Sequence, residues 1–166
     1  MLLRFEPLGA HSRAAFSSGD RDLDDWFHTR AGQDERRDVA RVFVAIDDEI
    51  GVSGFYTLSA FAVAPGDFPA EASRRLPRYE TIPCALIGRL ARDERRRGQG
   101  LGAELLADAI ARVLETGRSV AVHAIVVDAK NSQAADFYAS FEFLPFPSRP
   151  LRLFLPVATA AKAARA

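Results

Sequence analysis

A loop rich in glycine and arginine, placed between a strand and a helix, constrains this 166-residue chain most strongly. Residues 85–91 predict a buried strand, and residues 103–115 predict an amphipathic helix. Between them, Gly98, Gly100 and Gly102 remove side chains at alternate positions, where a ligand could approach backbone N–H groups. Because a helix begins with unpaired N–H groups and the positive end of its dipole, this segment predicts a phosphate-binding site.

The spacing within this loop argues against two common kinds of phosphate site. No Lys-Ser or Lys-Thr pair follows the glycines, so the loop is not a P-loop. A dinucleotide fingerprint needs Gly-x-Gly-x-x-Gly and an acidic residue about 20 positions later, and residues 120–122 contain none. The spacing that remains is Arg97-x-x-Gly100-x-Gly102. The alternative to a phosphate site is that this segment is an arginine-rich surface turn whose glycines only begin a helix.

Composition and charge place the chain among ordinary globular proteins. It has 48% hydrophobic and 27% charged residues, and its length fits one domain. Basic and acidic residues each number 22, and this zero net charge disfavours a surface given over entirely to nucleic acid. The lone Cys84 cannot form an internal disulfide, and without a Cys/His set at ligand spacing we expect no metal. We see no signal segment and no membrane-spanning run, which predicts a cytoplasmic protein without a membrane partner.

The hydrophobic pattern predicts an α/β (α+β) chain. Its strands are expected at residues 2–6, 40–46, 50–63, 85–91, 120–127 and 152–155, and its helices at residues 22–33, 70–76, 103–115 and 131–141. This order predicts a mixed central sheet of about six to seven strands with helices on both faces, and a right-handed parallel crossover over residues 85–127. We expect a single domain over residues 1–157 and a disordered tail over residues 158–166.

A second motif lies one helix and one strand after the loop. Residues 134–143 read Ala-Ala-Asp-Phe-Tyr-Ala-Ser-Phe-Glu-Phe, which resembles the A-x-x-F-Y-x-x-F-G-F helix of GNAT N-acetyltransferases. The loop spacing resembles the Arg/Gln-x-x-Gly-x-Gly/Ala signature of the same family, which holds the pyrophosphate of acetyl-CoA. With both motifs in the family's order, the resemblance implies a GNAT fold and an acetyl-CoA-dependent N-acetyltransferase.

Further segments narrow the resemblance to the GNAT-type toxins of bacterial type II toxin–antitoxin systems. They are FSSGDRDLDDWF at 16–27, AGQD at 31–34, RVFVA at 41–45, GFYTLS at 54–59, GRLA at 88–91 and LRLFLP at 151–156. The resemblance covers residues 3–157. It implies acetylation of the α-amine of aminoacyl-tRNA, a block of translation, a ribbon–helix–helix antitoxin as partner and, commonly, a homodimer.

Three positions depart from the family pattern. Ser18 stands where the family often has Cys, and Arg97 stands where Gln is common. Glu142 replaces the usual Gly of the Phe-Gly-Phe sequence, which puts the local turn in question but not the chemistry.

The resemblance also assigns roles to residues. Tyr138 matches the tyrosine that acts as general acid on the CoA sulfur, although it also belongs to an apolar helical stripe of the kind found in cores. Asn131 is interpreted either as a pantetheine ligand or as a helix N-cap. The residues expected to bind acetyl-CoA are Leu90, Ala91, Arg92, Arg97, Gly98, Gln99, Gly100, Leu101, Gly102, Asn131 and Phe137.

Arginines are the residues expected to contact tRNA, because the guanidinium fork binds phosphate through two hydrogen bonds. Each one taken singly is better explained as solvated surface, except Arg89 and Arg92 on the strand that leads into the loop. The tRNA candidates are Arg36, Arg37, Arg78, Arg89 and Arg149, with Arg30, Arg74, Arg75 and Arg92 as further possibilities.

Two other functions stay open. One is a GNAT acetyltransferase that acts on a small-molecule amine or a protein N-terminus, which the neutral net charge slightly favours. The other is a non-catalytic acyl-CoA-binding domain, against which the intact Tyr138 and glycine loop argue. No carboxylate stands out as a general base, and we interpret Glu35, Glu80 and Asp93 as solvated charges.

Overall fold

The computed structural model describes residues 2–165, which form seven strands and six α-helices. The strands are β1 (Leu3–Pro7), β2 (Arg41–Asp47), β3 (Gly51–Val63), β4 (Ile82–Arg92), β5 (Ala124–Asp128), β6 (Leu144–Phe146) and β7 (Arg149–Pro156). The helices are α1 (Arg21–Thr29), α2 (Ala31–Arg36), α3 (Ala70–Ser73), α4 (Leu101–Thr116), α5 (Ser132–Ala139) and α6 (Val157–Ala164). Short 3-10 turns occupy Pro65–Asp67 and Glu94–Arg96.

The strands form one mixed sheet in the order β1-β2-β3-β4-β5-β7-β6. Strands β4 and β5 run parallel, and the chain passes from one to the other through α4. The β1–β2, β2–β3, β5–β7 and β6–β7 pairs are antiparallel. The predicted fold class and the parallel connection are therefore confirmed, and the strands expected at residues 40–46 and 50–63 form an antiparallel pair.

The chain divides into two compact units. The first runs up to Ser59 and includes Gly88–Ala109, and the second consists of Ala60–Ile87 and the chain from Ile110 onward. The single domain that we predict for residues 1–157 stays a prediction. Among the described residues, every helix is too short or too polar to cross a bilayer.

An aromatic cluster forms the core of the first unit. Helix α1 begins where the Asp20 carboxylate accepts a hydrogen bond from the N–H of Leu23 at 3.1 Å, as an N-cap residue does. The helix buries Trp26 and Phe27, and the Phe27 ring stacks on Phe55 of β3 with centroids 4.1 Å apart. This packing fixes α1 within the first unit.

A second cluster forms the core of the other unit. It joins Phe68, Phe146 and Phe154 to apolar side chains of β4 and β5. The Phe68 and Phe154 rings meet edge to face with centroids 5.0 Å apart. Cys84, the only cysteine of the chain, is part of this cluster and is 4% exposed.

Our expectation of a disordered tail over residues 158–166 is wrong for the residues that the structure describes. Helix α6 covers Val157–Ala164, and its Ala160 is 5% exposed. An alanine-rich segment has a high helix propensity, and burial of one face supplies the packing that a short helix needs.

Other predicted elements also differ from the structure. The predicted helix over residues 22–33 is interrupted at Arg30, between α1 and α2. Strand β5 begins only at Ala124, and residues 120–123 are not part of it. The short strand β6 was not predicted.

Candidate active site

The predicted phosphate loop lies between the Glu94–Arg96 turn and α4. Gly98 and Gly100 both have a φ of +77°, in the left-handed region that glycine adopts without strain. A Cβ atom at either position would meet no other atom within 4 Å. Residues 97–100 are exposed, so the backbone of the loop is open to a ligand from outside.

The start of α4 supplies unpaired donors beside this loop. Leu101 is 1% exposed, and its burial fixes the first residue of the helix. The N–H of Glu104 donates to the carbonyl oxygen of Gly100 at 3.2 Å, which starts the helical hydrogen-bond ladder. The N–H groups of residues 101–103 precede that ladder and have no acceptor within the helix. Together with the dipole of a 16-residue helix, they suit an anion.

Two buried carboxylates hold the turn that leads into the loop. Asp93 is 1% exposed and accepts hydrogen bonds from the Nε of Arg95 at 2.9 Å and from the N–H of Ser17 at 3.2 Å. Asp47, also 1% exposed, accepts from the Nε of Arg96 at 2.9 Å and from two N–H groups of its own turn. Our interpretation of Asp93 as a solvated charge is therefore wrong.

These hydrogen bonds keep both carboxylates ionised. Burial by itself raises the pKa of Asp47 and of Asp93, but the hydrogen bonds that each accepts outweigh burial and hold its pKa below the usual value. Arg95 and Arg96 are thus neutralised by the fold. Arg97 is exposed and has no ion pair or hydrogen bond through its side chain to any described residue, so it remains available to a ligand.

A tryptophan and an arginine meet in the first unit, which the sequence did not indicate. The guanidinium carbon of Arg89 lies 4.0 Å from the centroid of the Trp26 ring. The Nε1–H of Trp26 donates to the Asp34 carboxylate at 2.9 Å. The pKa of Arg89 is lowered, chiefly by burial. The nearby Asp34 carboxylate acts in the opposite direction and raises it, and the nearby Arg30 lowers it further. The sequence placed Trp26 only within the helix predicted over residues 22–33.

Helix α5 of the second unit begins with the predicted cap. The Oδ1 of Asn131 accepts a hydrogen bond from the N–H of Ala134 at 2.8 Å. The N-cap interpretation of Asn131 is therefore confirmed, and its contact with pantetheine stays a prediction. The turn after α5 contains Glu142 at a φ of +72°.

Tyr138 is a buried ring with an accessible hydroxyl. The residue is 7% exposed, and its ring contacts Phe137 and Phe143 at centroid distances of 5.2 and 5.7 Å. No described residue forms a hydrogen bond with its hydroxyl. Because every buried side-chain oxygen of the described residues has a partner, the unpaired hydroxyl must reach the surface. Burial raises the pKa of Tyr138 to about 12.

The remaining tRNA candidates are distributed over both units. In the first unit, Arg36 and Arg37 are exposed at the end of α2. In the second unit, Arg78 is exposed between α3 and β4, and Arg149 is exposed at the start of β7. Their contact with tRNA stays a prediction.

Comparison with known proteins gives the chain a family. The model of the acetyltransferase (GNAT) family matches residues 10–143. A relative from Sinorhizobium fredii described as a probable toxin TacT is 35% identical over 164 residues, with 93% of this chain and 91% of the relative covered. A tRNA-acetylating toxin from Mycobacterium tuberculosis is 39% identical over 141 residues, with 85% of this chain and 83% of the toxin covered.

Solved structures of similar proteins agree with this assignment. AtaT complexed with acetyl-methionyl-tRNAfMet superposes with a TM-score of 0.89 at 28% identity, over 98% of this chain and 99% of AtaT. A Tyr-to-Phe mutant of AtaT bound to the C-terminus of the antitoxin AtaR and acetyl-CoA gives 0.84 at 25% identity, over 99% of both chains. Because the family model spans most of the sequence and both relatives share more than 30% identity with it, this chain belongs to the GNAT acetyltransferase family.

Proposed function

We propose that this protein transfers an acetyl group from acetyl-CoA to the α-amine of aminoacyl-tRNA and blocks translation as a toxin. The observation that carries the chemistry is the Tyr138 hydroxyl, which is unpaired, accessible and of raised pKa. The choice of acceptor is supported by the relatives, one of which is a tRNA-acetylating toxin. The activity would operate in the cytoplasm, where charged tRNA is found.

The loop of the first unit fits the pyrophosphate of acetyl-CoA. Its two glycines leave open space, the first N–H groups of α4 lack acceptors, and Arg97 is available as a cation. When bound, acetyl-CoA supplies an activated thioester. We assign residues 97–102 to its pyrophosphate and the backbone of residues 90–92 to pantetheine, as an added strand. We also propose Asn131 and Phe137 as ligands of acetyl-CoA.

Tyr138 serves as the general acid in this proposal. With a pKa of about 12, its phenol keeps its proton throughout the neutral range. It donates that proton to the sulfur that leaves the acetyl group, and solvent then restores it. A phenylalanine at this position would fill the same space and donate nothing.

We assign the removal of the amine proton to water. The α-amine of an aminoacyl ester has a lower pKa than a lysine amine, so it is largely neutral near pH 8. Of the carboxylates considered, Glu35 accepts a hydrogen bond from the N–H of Val42 at 2.6 Å, and Asp93 is committed to Arg95. Neither is therefore assigned as a base.

The proposal is tested by acetyl transfer from labelled acetyl-CoA to a pool of charged tRNAs. Wild type should label the aminoacyl end, and Tyr138→Phe should reduce the rate by about 10²–10⁴-fold. Tyr79→Phe is the matched control, because Tyr79 is 69% exposed and should retain the wild-type rate. Full activity in Tyr138→Phe would remove Tyr138 as the acid. Acetyl-CoA binding without transfer to tRNA would favour a small-amine acceptor or a non-catalytic domain.

We also propose that the protein pairs with an antitoxin of the ribbon–helix–helix type and forms a homodimer. The complex of AtaT with the antitoxin AtaR supports an antitoxin partner. Co-expression of a small protein encoded beside this gene should restore growth to cells that express the toxin. Light scattering on the purified protein would decide between monomer and dimer.

A further inference from the structure

The guanidinium of Arg89 covers the only tryptophan of the chain. It lies 4.0 Å from the Trp26 ring centroid, and Trp26 is 5% exposed. A guanidinium over an indole face is a favourable cation–π arrangement that fixes the plane of the arginine. The position of this charge is therefore set by a rigid aromatic surface.

Both members of the pair are fixed within the first unit. The Nε1–H of Trp26 donates to Asp34 at 2.9 Å, and its ring stacks on Phe55 with centroids 5.9 Å apart. The backbone N–H of Arg89 donates to the Oγ1 of Thr57 at 3.1 Å, and Thr57 is 1% exposed. The guanidinium of Arg89 is therefore held in one place, and a ligand would bind it without moving it.

The guanidinium of Arg89 forms no ion pair and no hydrogen bond in the part of the chain that the structure describes. No described residue accepts a hydrogen bond from its guanidinium, and no described carboxylate lies within ion-pair distance of it. Arg95 and Arg96 of the same unit are both paired with buried aspartates. Asp34, which accepts the hydrogen bond from Trp26, lies close enough to raise the pKa of Arg89, and Arg30 lies close enough to lower it, so one carboxylate and a second cation lie near this guanidinium. A half-buried guanidinium with unused N–H donors is a receptor for an anion.

The place of Arg89 on β4 indicates which anion it receives. Arg89 comes immediately before residues 90–92, which we assign to pantetheine, and a strand advances about 3.3 Å per residue. An anion on Arg89 would therefore lie within about 10 Å of the reacting arm. In an aminoacylated nucleotide, the ribose and the ester-linked aminoacyl group lie between the α-amine and the 5′ phosphate. The phosphodiester that joins the terminal nucleotide to the one before it therefore carries a negative charge at a comparable distance from the α-amine.

We propose that Arg89, held on Trp26 and assisted by Arg30, binds the phosphodiester that precedes the terminal aminoacylated nucleotide of the acceptor. This inference rests on the proposed function and names the part of the tRNA that the first unit recognises. Arg89 is a positioning residue, because it holds the acceptor and takes no proton in the transfer. It would distinguish a nucleic-acid acceptor from a free amino acid ester.

The first test compares two minimal acceptors, an aminoacylated CpCpA trinucleotide and an aminoacylated adenosine that lacks the phosphodiester. Wild type should show a higher kcat/KM for the trinucleotide. Arg89→Met keeps the stem of the side chain and should lower the ratio of the two kcat/KM values by about 10–100-fold, as loss of a charged hydrogen bond does. Arg89→Lys should lower it less, and Arg118→Met, at an exposed site in the second unit, should leave it unchanged.

The second test uses Trp26 as a reporter that does not depend on acetyl transfer. Addition of unacylated CpCpA to the full-length protein should change the fluorescence of this sole tryptophan, and adenosine should not. Arg89→Met, shown by circular dichroism to be folded, should lose the response. The same response in wild type and Arg89→Met would overturn the proposal.

The two tests together separate failure of this inference from failure of the proposed function. If wild type acetylates both acceptors and Arg89→Met leaves their kcat/KM ratio unchanged, the transferase stands and Arg89 is not the phosphodiester site. If neither acceptor is acetylated but CpCpA changes the fluorescence only when Arg89 is present, the phosphodiester site stands and the proposed transfer does not.

Discussion

At the scale of single residues, position 142 shows how the chain accommodates a departure from its family. Glu142 has a φ of +72°, where an L side chain is strained by about 1–2 kcal/mol. Glycine removes that strain but costs about 0.5–1 kcal/mol more entropy on folding. We therefore expect Glu142→Gly to raise the free energy of unfolding by about 0.5–1 kcal/mol, measured by urea denaturation.

A matched glycine substitution provides the control for this prediction. Glu115 lies in α4, outside the residues with positive φ. Glu115→Gly should lower the free energy of unfolding by about 1 kcal/mol, because glycine weakens a helix. An equal loss in Glu142→Gly would contradict the strain assigned to that turn.

The buried phenol of Tyr138 makes stability depend on pH in the alkaline range. Below pH 10 the phenol is protonated in both the folded and the unfolded chain. Between pH 10 and pH 12 only the folded chain keeps the proton, because burial raises the pKa of Tyr138 to about 12, so the free energy of unfolding falls as pH rises. Its contribution to that fall is up to about 2–3 kcal/mol.

Urea denaturation at pH 9 and at pH 11 checks this expectation. Wild type should lose more stability over this interval than Tyr138→Phe, which has no phenol to titrate at this position. Tyr79→Phe removes an exposed phenol and should follow wild type. Equal losses in wild type and Tyr138→Phe would show that burial of the ring does not raise the pKa of Tyr138.

At the scale of elements, Arg96 joins the β2–β3 turn to the turn that precedes the phosphate loop through ion pairs with Asp47 and Glu49. The side chain of Asp47 is fully buried and forms an ion pair with Arg96, whose side chain is 12% exposed. We expect Asp47→Asn to leave Arg96, whose side chain is 12% exposed, with only the exposed Glu49 as an ionic partner and to lower the free energy of unfolding by roughly 3 kcal/mol. The same change should raise the KM for acetyl-CoA, since Arg97 and the glycines follow directly in sequence.

Glu49 offers a control on the same arginine. It also pairs with Arg96, at 3.1 Å, but its side chain is 69% exposed. Glu49→Gln should change stability by less than about 1 kcal/mol, because solvent screens exposed pairs. Similar losses in both variants, by thermal or urea unfolding, would show that burial of Asp47 adds nothing.

The elements show which parts of the fold periodicity can reveal. The β2–β3 hairpin and α4 follow from local patterns and were predicted within a few residues. Strand β5 begins later than predicted: Ala124 is its first residue in register with β4, opposite Cys84, and Val120 is 63% exposed. Helix α6 was not predicted, because a short helix depends on tertiary packing. The burial of Ala160 is such a contact, and an alanine-rich sequence does not reveal it.

The same distinction applies to the site. The glycines of the loop and the Asn131 cap are local features, and the sequence indicated them. The pair of Asp47 and Arg96 joins residues 49 positions apart, and no spacing rule connects them. The contact of Arg89 with Trp26 likewise depends on how β4 and α1 pack.

At the scale of the whole molecule, a net charge of zero leaves little long-range attraction for tRNA. Binding must then depend on a few local arginines, and each phosphate contact contributes a salt slope of about −0.7 to −0.9. If Arg36 and Arg37 both contact phosphates, Arg36→Ser with Arg37→Ser should reduce the slope of log affinity against log salt by about 1.4–1.8. Filter binding of charged tRNA at several salt concentrations measures this slope.

Arg118→Ser is the control for the charge change, since Arg118 is exposed and pairs with Glu115 at 3.4 Å. It should leave the slope as in wild type. An unchanged slope in the double variant would place Arg36 and Arg37 among ordinary solvated side chains.

The burial of Cys84 has a practical consequence for labelling chemistry. The chain has one thiol, and burial raises its pKa to about 11. At neutral pH it is almost entirely protonated and shielded by the core of the second unit, so it should react slowly with maleimides. A cysteine introduced at any exposed position would therefore accept a fluorophore or spin label alone, with no need to replace Cys84 first.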